Sequence, residues 1–173
     1  LLCETADMAD KMQFVGIGDR VNSAVKSAIG DDTRRAYLAR HFAKHAEADA
    51  KIQGWIDEYA AILANHKEIV DAKVDLGNGI VGVVATGKKV DMTTLMGTLY
   101  RCGAKVVVLV GEQFNVAAGC KMPMVSFGAA DQRLDLLTPV KAAVPTASGF
   151  TNKVNVAPEH EEAALAAVRN ALR

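Results

Sequence analysis

Aromatic side chains make up only 5% of this 173-residue chain, and neither sign of charge prevails, with 20 Lys and Arg against 20 Asp and Glu. The first shortage excludes a broad platform of rings for stacking single-stranded bases. The second excludes a strongly basic nucleic-acid module, although a local basic patch is compatible with it. No apolar run approaches the roughly 20 residues needed to span a bilayer, so no membrane partner is expected. The three cysteines, Cys3, Cys102 and Cys120, are odd in number and lack paired spacing, as suits a reducing compartment. The front, LLCETADMADKMQFVGIG, has acids at positions 4, 7 and 10 and no basic start, unlike a signal peptide. A soluble, cytoplasmic protein is expected. Opening on Leu1 rather than Met is expected of a processed chain or of a piece of a longer polypeptide.

What is present is a half-hydrophobic chain, long enough for one large domain or two small ones and able to bury a core. Residues 3–13 suit a helix, and 14–18 a short buried strand or turn. From Asp31 to His66 the chain reads as strongly helical, capped by Asp31 or Asp32. Tyr37, Leu38, Phe42, Ile52, Trp55, Ile56, Tyr59, Ile62 and Leu63 supply its apolar stripe, and Gly54 marks a break or a tight crossing within the run. After His66, KEIVDAKVDLGNG reads as a connection and IVGVVA (80–85) as a strand. VDMTTLMGTLYRCGA follows as a short helix stopping near Gly103. KVVVLV (105–110) has the β-branched continuity of a strand buried on both faces, and MPMVSF (122–127) is placed to pair with it. Then come a helix LDLLTPVKAAV interrupted by Pro139, a small-residue turn PTASG, a strand FTNKVNV and a final helix from Pro158. The fold class is α/β. A boundary near 66–76 separates a helical segment and connector (1–70) from a mixed-sheet domain (71–173).

Three patterns invite functional readings. GNGIVG (77–82) has the letters of a dinucleotide loop, but it leads into a strand instead of opening a helix, and so reads as a turn. His41 and His45 stand one helical turn apart, yet Phe42 follows His41 where a zinc protease has glutamate, and no third ligand is spaced to join them. They read as ordinary surface histidines. Ser148 in PTASGF has no histidine near it in sequence, so nucleophilic catalysis there lacks a base. The small residues around it allow close backbone approach to a neighbouring strand or a ligand.

FVGIGDR (14–20) poses a sharper question, because an apolar run ends on an acid and an arginine. Asp19 has three readings from its residues alone: it caps the next helix, pairs with Arg20, or holds a metal ion. Further along, MVSFGAADQRLDLLTPVKAAVPTASGFTNKV (124–154) has VS at Val125–Ser126, a helix over 134–144 and ASGF at Ala147–Phe150. In order and spacing this stretch resembles the C-terminal DHHA1 domain of the DHH phosphoesterase superfamily, which includes RecJ-type exonucleases, oligoribonucleases and cyclic-dinucleotide phosphodiesterases. There, V-S-x-R-S precedes a helix and a G-G-G-H-x-x-A-S/A-G-F motif contacts substrate phosphates. Gly18-Asp19-Arg20 is similar to the last metal motif of the family's catalytic domain.

The resemblance implies a DHHA1-like mixed-sheet domain behind a helical connector. It implies a metal-dependent phosphoesterase whose substrate is a single-stranded nucleic acid or small nucleotide. Asp19 would be a ligand of a Mn²⁺ or Mg²⁺ pair, completed by residues outside this chain, so that the chain alone would be inactive. The arginine of V-S-x-R-S is missing, since Phe127, Gly128 and Ala129 follow Ser126 and Arg133 comes late. AAVPTA stands where the glycine triplet and histidine should be, and Pro145 lacks a backbone N–H. Substrate contacts are therefore expected from Arg20, Ser126, Arg133, Thr146, Ser148, Gly149 and Lys153. These departures also suit a non-catalytic RecJ-like binding or scaffold protein, with a homodimer or a replication-associated protein as partner. An α/β small-molecule binding domain with an accidental ASGF match is the third reading.

Overall fold

A computed structural model of the chain describes residues 17–28, 31–45, 47–115 and 120–173, with the backbone alone for 17–19 and 113–115. The helix expected over 3–13 and the first part of the strand or turn expected over 14–18 lie outside the described residues. Ile17 and Gly18 open helix α1 (Ile17–Ser27) rather than ending a strand. The reason is a helical spacing of small apolar residues: Val21, Ala24 and Ala28 are all buried.

Helix α2 (Asp32–Phe42) starts at Asp31, whose carboxylate accepts the Arg34 N–H at 2.9 Å. The break expected at Gly54 comes earlier, between a helix that ends at Phe42 and one that begins at Ala50. There Asp49 accepts the Ile52 N–H at 2.8 Å and the Tyr37 hydroxyl at 2.6 Å. An aspartate that bonds the backbone three residues ahead begins a new helix. Helix α3 (Ala50–Asp71) then runs straight through Gly54, where a Cβ would meet nothing within 4 Å. Residues 67–71, expected as connection, are its last turns, with Lys67 paired to Asp71 at 2.6 Å. The chain divides within α3 into one compact unit up to Ala64 and another from Asn65 to Arg173. In the first, Ala24, Ala28, Leu38, Ile52 and Trp55 form the buried core.

The second unit holds a six-stranded mixed sheet in the order β1-β2-β3-β4-β6-β5. Strands β1 (Val74–Gly77) and β2 (Ile80–Val84) form a hairpin. Its turn has positive φ at Gly77, Asn78 and Gly79, so GNGIVG is a turn, and β1 is a strand the sequence reading missed. Helix α4 (Met92–Arg101) connects β2 to the parallel β3 (Val106–Asn115), and β4 (Cys120–Ala129) returns antiparallel. Helix α5 (Leu137–Ala143) keeps Pro139 as its third residue, where the backbone N–H has no intrahelical acceptor to lose, so the proline does not interrupt it. The single strand expected in FTNKVNV is half of a hairpin, β5 (Ser148–Phe150) and β6 (Lys153–Val156). A short 3₁₀ turn at Pro158–His160 leads into α6 (Glu161–Ala171).

Alternation along the strands decides which face each residue occupies. One face buries Val106, Val108, Val125, Phe127, Val154 and Val156 under Val140 of α5 and Ala164 and Val168 of α6. The other buries Val83, Val107 and Leu109 under Leu95, Met96 and Leu99 of α4 and Ile69 of α3. On this second face the apolar cluster ends at β3. The same face of β4, β6 and β5 therefore carries a different set of side chains.

Candidate functional site

Because Val125, Phe127, Val154 and Val156 point into the core, the residues between them turn to the opposite face. The register makes two rows across the three strands: Ser126, Asn155 and Ser148 in one, Gly128, Lys153 and Phe150 in the other. Three residues expected from sequence to contact substrate, Ser126, Ser148 and Lys153, are thus brought together. Asn155 joins them, and the signal that could have found it is the alternation in KVNV. Two buried valines put Lys153 and Asn155 side by side on the other face.

Two members of the first row are bonded to each other. Ser126 is fully buried, and its hydroxyl donates to Asn155 Oδ1 at 2.5 Å. That bond occupies the amide oxygen and leaves the NH₂ as the donor half of Asn155. Beside it is an open groove of about 480 Å³, lined by Met122, Thr146, Ser148, Asn155 and Glu159 among others. Thr146 reaches the groove from a turn closed by the Ala147 N–H to the Val144 carbonyl at 2.9 Å. Pro145 stands second in that turn, where its fixed φ is favourable. The proline that lacks an N–H for phosphate is thus a shaping residue of the loop.

Gly149 serves the hairpin itself. Its φ is +134°, and a Cβ built there would lie 2.1 Å from the Lys153 carbonyl oxygen. Only glycine lets β5 approach β6 at that point. Lys153 has no ion-pair partner among the described residues and lines a second hollow at the far end of its row. Phe150, next to it in register, is 75% exposed.

The remaining expected residues lie elsewhere. Arg133 lines neither hollow and is held by Asp131, with guanidinium–carboxylate distances of 3.0 and 3.1 Å. The hydrogen bonds from Arg133 lower the Asp131 pKa and raise its own. Arg20 belongs to the first compact unit and donates to Gln53 Oε1 at 2.5 Å. Asp19 is the third residue of α1, and its side chain lies outside the described residues. Among the described residues no group of three or more His, Cys, Asp and Glu could hold a metal ion. They do not by themselves fit a two-metal centre. His41 is not a plain surface residue: its Nδ1 lies 3.5 Å from Asp49 and its Nε2 2.7 Å from the Glu47 carbonyl, within the α2–α3 connection.

Among the described residues, no helix is long and apolar enough to cross a membrane. No family model matches the chain, and none of the curated proteins matches it. Among solved structures, the pGpG-specific phosphodiesterase PggH from Vibrio cholerae superposes over 90% of this chain with a TM-score of 0.55 and 12% identity. The match covers 58% of that protein's chain. The chain, with its helical front and six-stranded mixed sheet, is similar in fold to a phosphodiesterase.

Proposed function

We propose that this chain is the C-terminal part of a DHH-type phosphoesterase, and that its mixed sheet holds the substrate, a small nucleotide or the end of a single-stranded nucleic acid. The observation that carries the reading is the alternation that turns Ser126, Asn155, Ser148 and Lys153 onto one face of β4, β6 and β5. The likeness in fold to a phosphodiesterase supports it. On that face the Lys153 ammonium neutralises a phosphate, and the Ser148 and Thr146 hydroxyls donate to its oxygens. Asn155, oriented by Ser126, adds a further donor. Asp19 is proposed as a ligand of a Mn²⁺ or Mg²⁺ site whose other ligands lie outside this chain.

The test uses the full-length protein with Mn²⁺ and a dinucleotide such as pGpG. Lys153→Ala should raise KM about tenfold or more, the worth of one charged hydrogen bond of roughly 1.5–3 kcal/mol. Asp19→Ala should abolish hydrolysis while leaving the circular dichroism of this chain unchanged. A full-length protein that hydrolyses neither dinucleotide nor oligonucleotide would sink the enzyme reading.

A second reading has its own support. Gly128 stands where the motif has arginine, and the glycine triplet and histidine are absent, which suits a non-catalytic RecJ-like binding or scaffold protein. Such a protein would bind a single strand, a second copy of itself or a replication-associated partner without hydrolysing nucleotide. Tight oligonucleotide binding without turnover would favour it.

A further inference from the structure

Gly128 ends the polar face of β4, paired across to Lys153. A Cβ built on it would lie 2.4 Å from Met96 Cε and 2.8 Å from Tyr100 Oη. Two side chains of α4 thus rest where the side chain of any other residue would begin. Next to them is a hollow of about 320 Å³, bounded by Met96, Gly97, Tyr100, Gly128, Asn152 and Lys153. This lies at the lower end of the range for small-molecule sites, about 300–1,000 Å³.

The lining selects a class of ligand. It contains no acid, and Lys153 stands at its edge with no ion-pair partner among the described residues. A cation is disfavoured and an anion favoured. The Met96 thioether, seated on Gly128, offers a polarisable surface suited to an aromatic ring. Asn152 and Gln132, both in the lining, carry amides that donate and accept at once, as the edge of a heterocycle requires. Burial pushes the Tyr100 phenol up to about 12, so it keeps its proton at neutral pH and adds no negative charge to the hollow.

We propose that the hollow at Gly128 is a nucleobase subsite, which takes the base of a nucleoside monophosphate while Lys153 holds the phosphate at its mouth. This deepens the reading of the polar sheet face as a nucleotide site and rests on it for the role of Lys153. The glycine at 128 then has a use: it lets Met96 and Tyr100 close onto the strand and form one wall of the hollow, which a larger residue would push aside.

Gly97 provides the test. A Cβ there would meet only Arg101 Nη1, at 3.7 Å, so Gly97→Leu can fill the hollow without displacing backbone. Binding of GMP, AMP and ribose 5-phosphate to the protein is measured by calorimetry. The nucleotides should bind at least tenfold tighter than ribose 5-phosphate. Gly97→Leu should remove that advantage and leave ribose 5-phosphate binding unchanged, whereas Lys153→Ala should weaken all three. Gly97→Ala, too small to fill the hollow, controls for the helix. The subsite is overturned if ribose 5-phosphate binds as tightly as the nucleotides, or if Gly97→Leu, folded by circular dichroism, keeps the preference. Base-selective binding without hydrolysis by the full-length protein with Mn²⁺ would leave the subsite standing and remove the phosphoesterase reading. Hydrolysis without base selectivity would do the reverse.

Discussion

Replacing Gly149 by alanine should cost far more than its one methyl group suggests. The φ of +134° lies in a region open essentially to glycine alone, which sets a strain of about 1–3 kcal/mol for any other residue. The added Cβ would also lie 2.1 Å from the Lys153 carbonyl oxygen and 3.2 Å from Val154 Cα. Both are backbone atoms of β6, so no flexible side chain can move aside. The cheapest escape is for β5 to separate from β6, giving up backbone hydrogen bonds worth about 1 kcal/mol each net. The expected total is about 2–4 kcal/mol, or a urea midpoint lower by about 1–2 M at a slope near 2 kcal/mol/M. Hydrogen exchange should locate the damage, with protection lost at the β5–β6 amides first. Gly54→Ala is the counter-experiment, since its Cβ meets nothing within 4 Å in mid-helix. It should stabilise the first unit by roughly 0.5–1 kcal/mol, read by the fluorescence of Trp55. If Gly149→Ala leaves the midpoint within about 0.3 M of the parent, the hairpin does not depend on this glycine and the reasoning fails.

Three further outcomes are expected. Ser126→Ala should lower the melting temperature by about 4–8 °C, the effect of losing roughly 1 kcal/mol from one buried hydrogen bond, and should weaken nucleotide binding through the unanchored Asn155 amide; an unchanged melt with unchanged binding would contradict the positioning role. Asp91→Ala removes the side chain that accepts from Thr94 N–H at 3.2 Å and from its hydroxyl at 2.6 Å, and should cost about 1 kcal/mol in urea titrations, with Asp91→Asn recovering most of it. Asp49 has its pKa lowered by the Tyr37 hydroxyl and then by the Ile52 N–H. The folded chain therefore binds that proton less readily than the unfolded one, so this contribution to stability is present above the ordinary carboxyl range and lost as pH falls through it. Urea melts from pH 6 to pH 3 should show a decline that Asp49→Asn flattens, and equal declines in the two proteins would rule it out.

What could be read in advance follows the reach of each signal. A continuous β-branched run identified the strand in KVVVLV (105–110), and a capping aspartate identified the start of α2, because both are local preferences that packing reinforces. Gly54 misled because an exposed helical glycine costs at most about 1 kcal/mol, which the buried Ile52 and Trp55 on either side of it readily outweigh. Pro139 misled because a proline's effect depends on its place in the helix, and the boundary set by Leu136 lay beyond the resolution of the pattern. Strand β1 was missed because VDLG is short and mostly exposed and gains its place only by pairing with β2.

The sequence by itself determined the class of fold, the order of most elements and the polar residue types available to a site, since these rest on periodicity and side-chain chemistry. Only the tertiary structure decided which of them meet. Register put Ser126 beside Asn155 and Lys153 between Gly128 and Phe150, across separations of up to 29 residues. Arg133 is paired with Asp131 and lines neither hollow. Backbone pairing acts over distances that local preference cannot encode, and it is pairing that turned a scattered set of polar residues into one face.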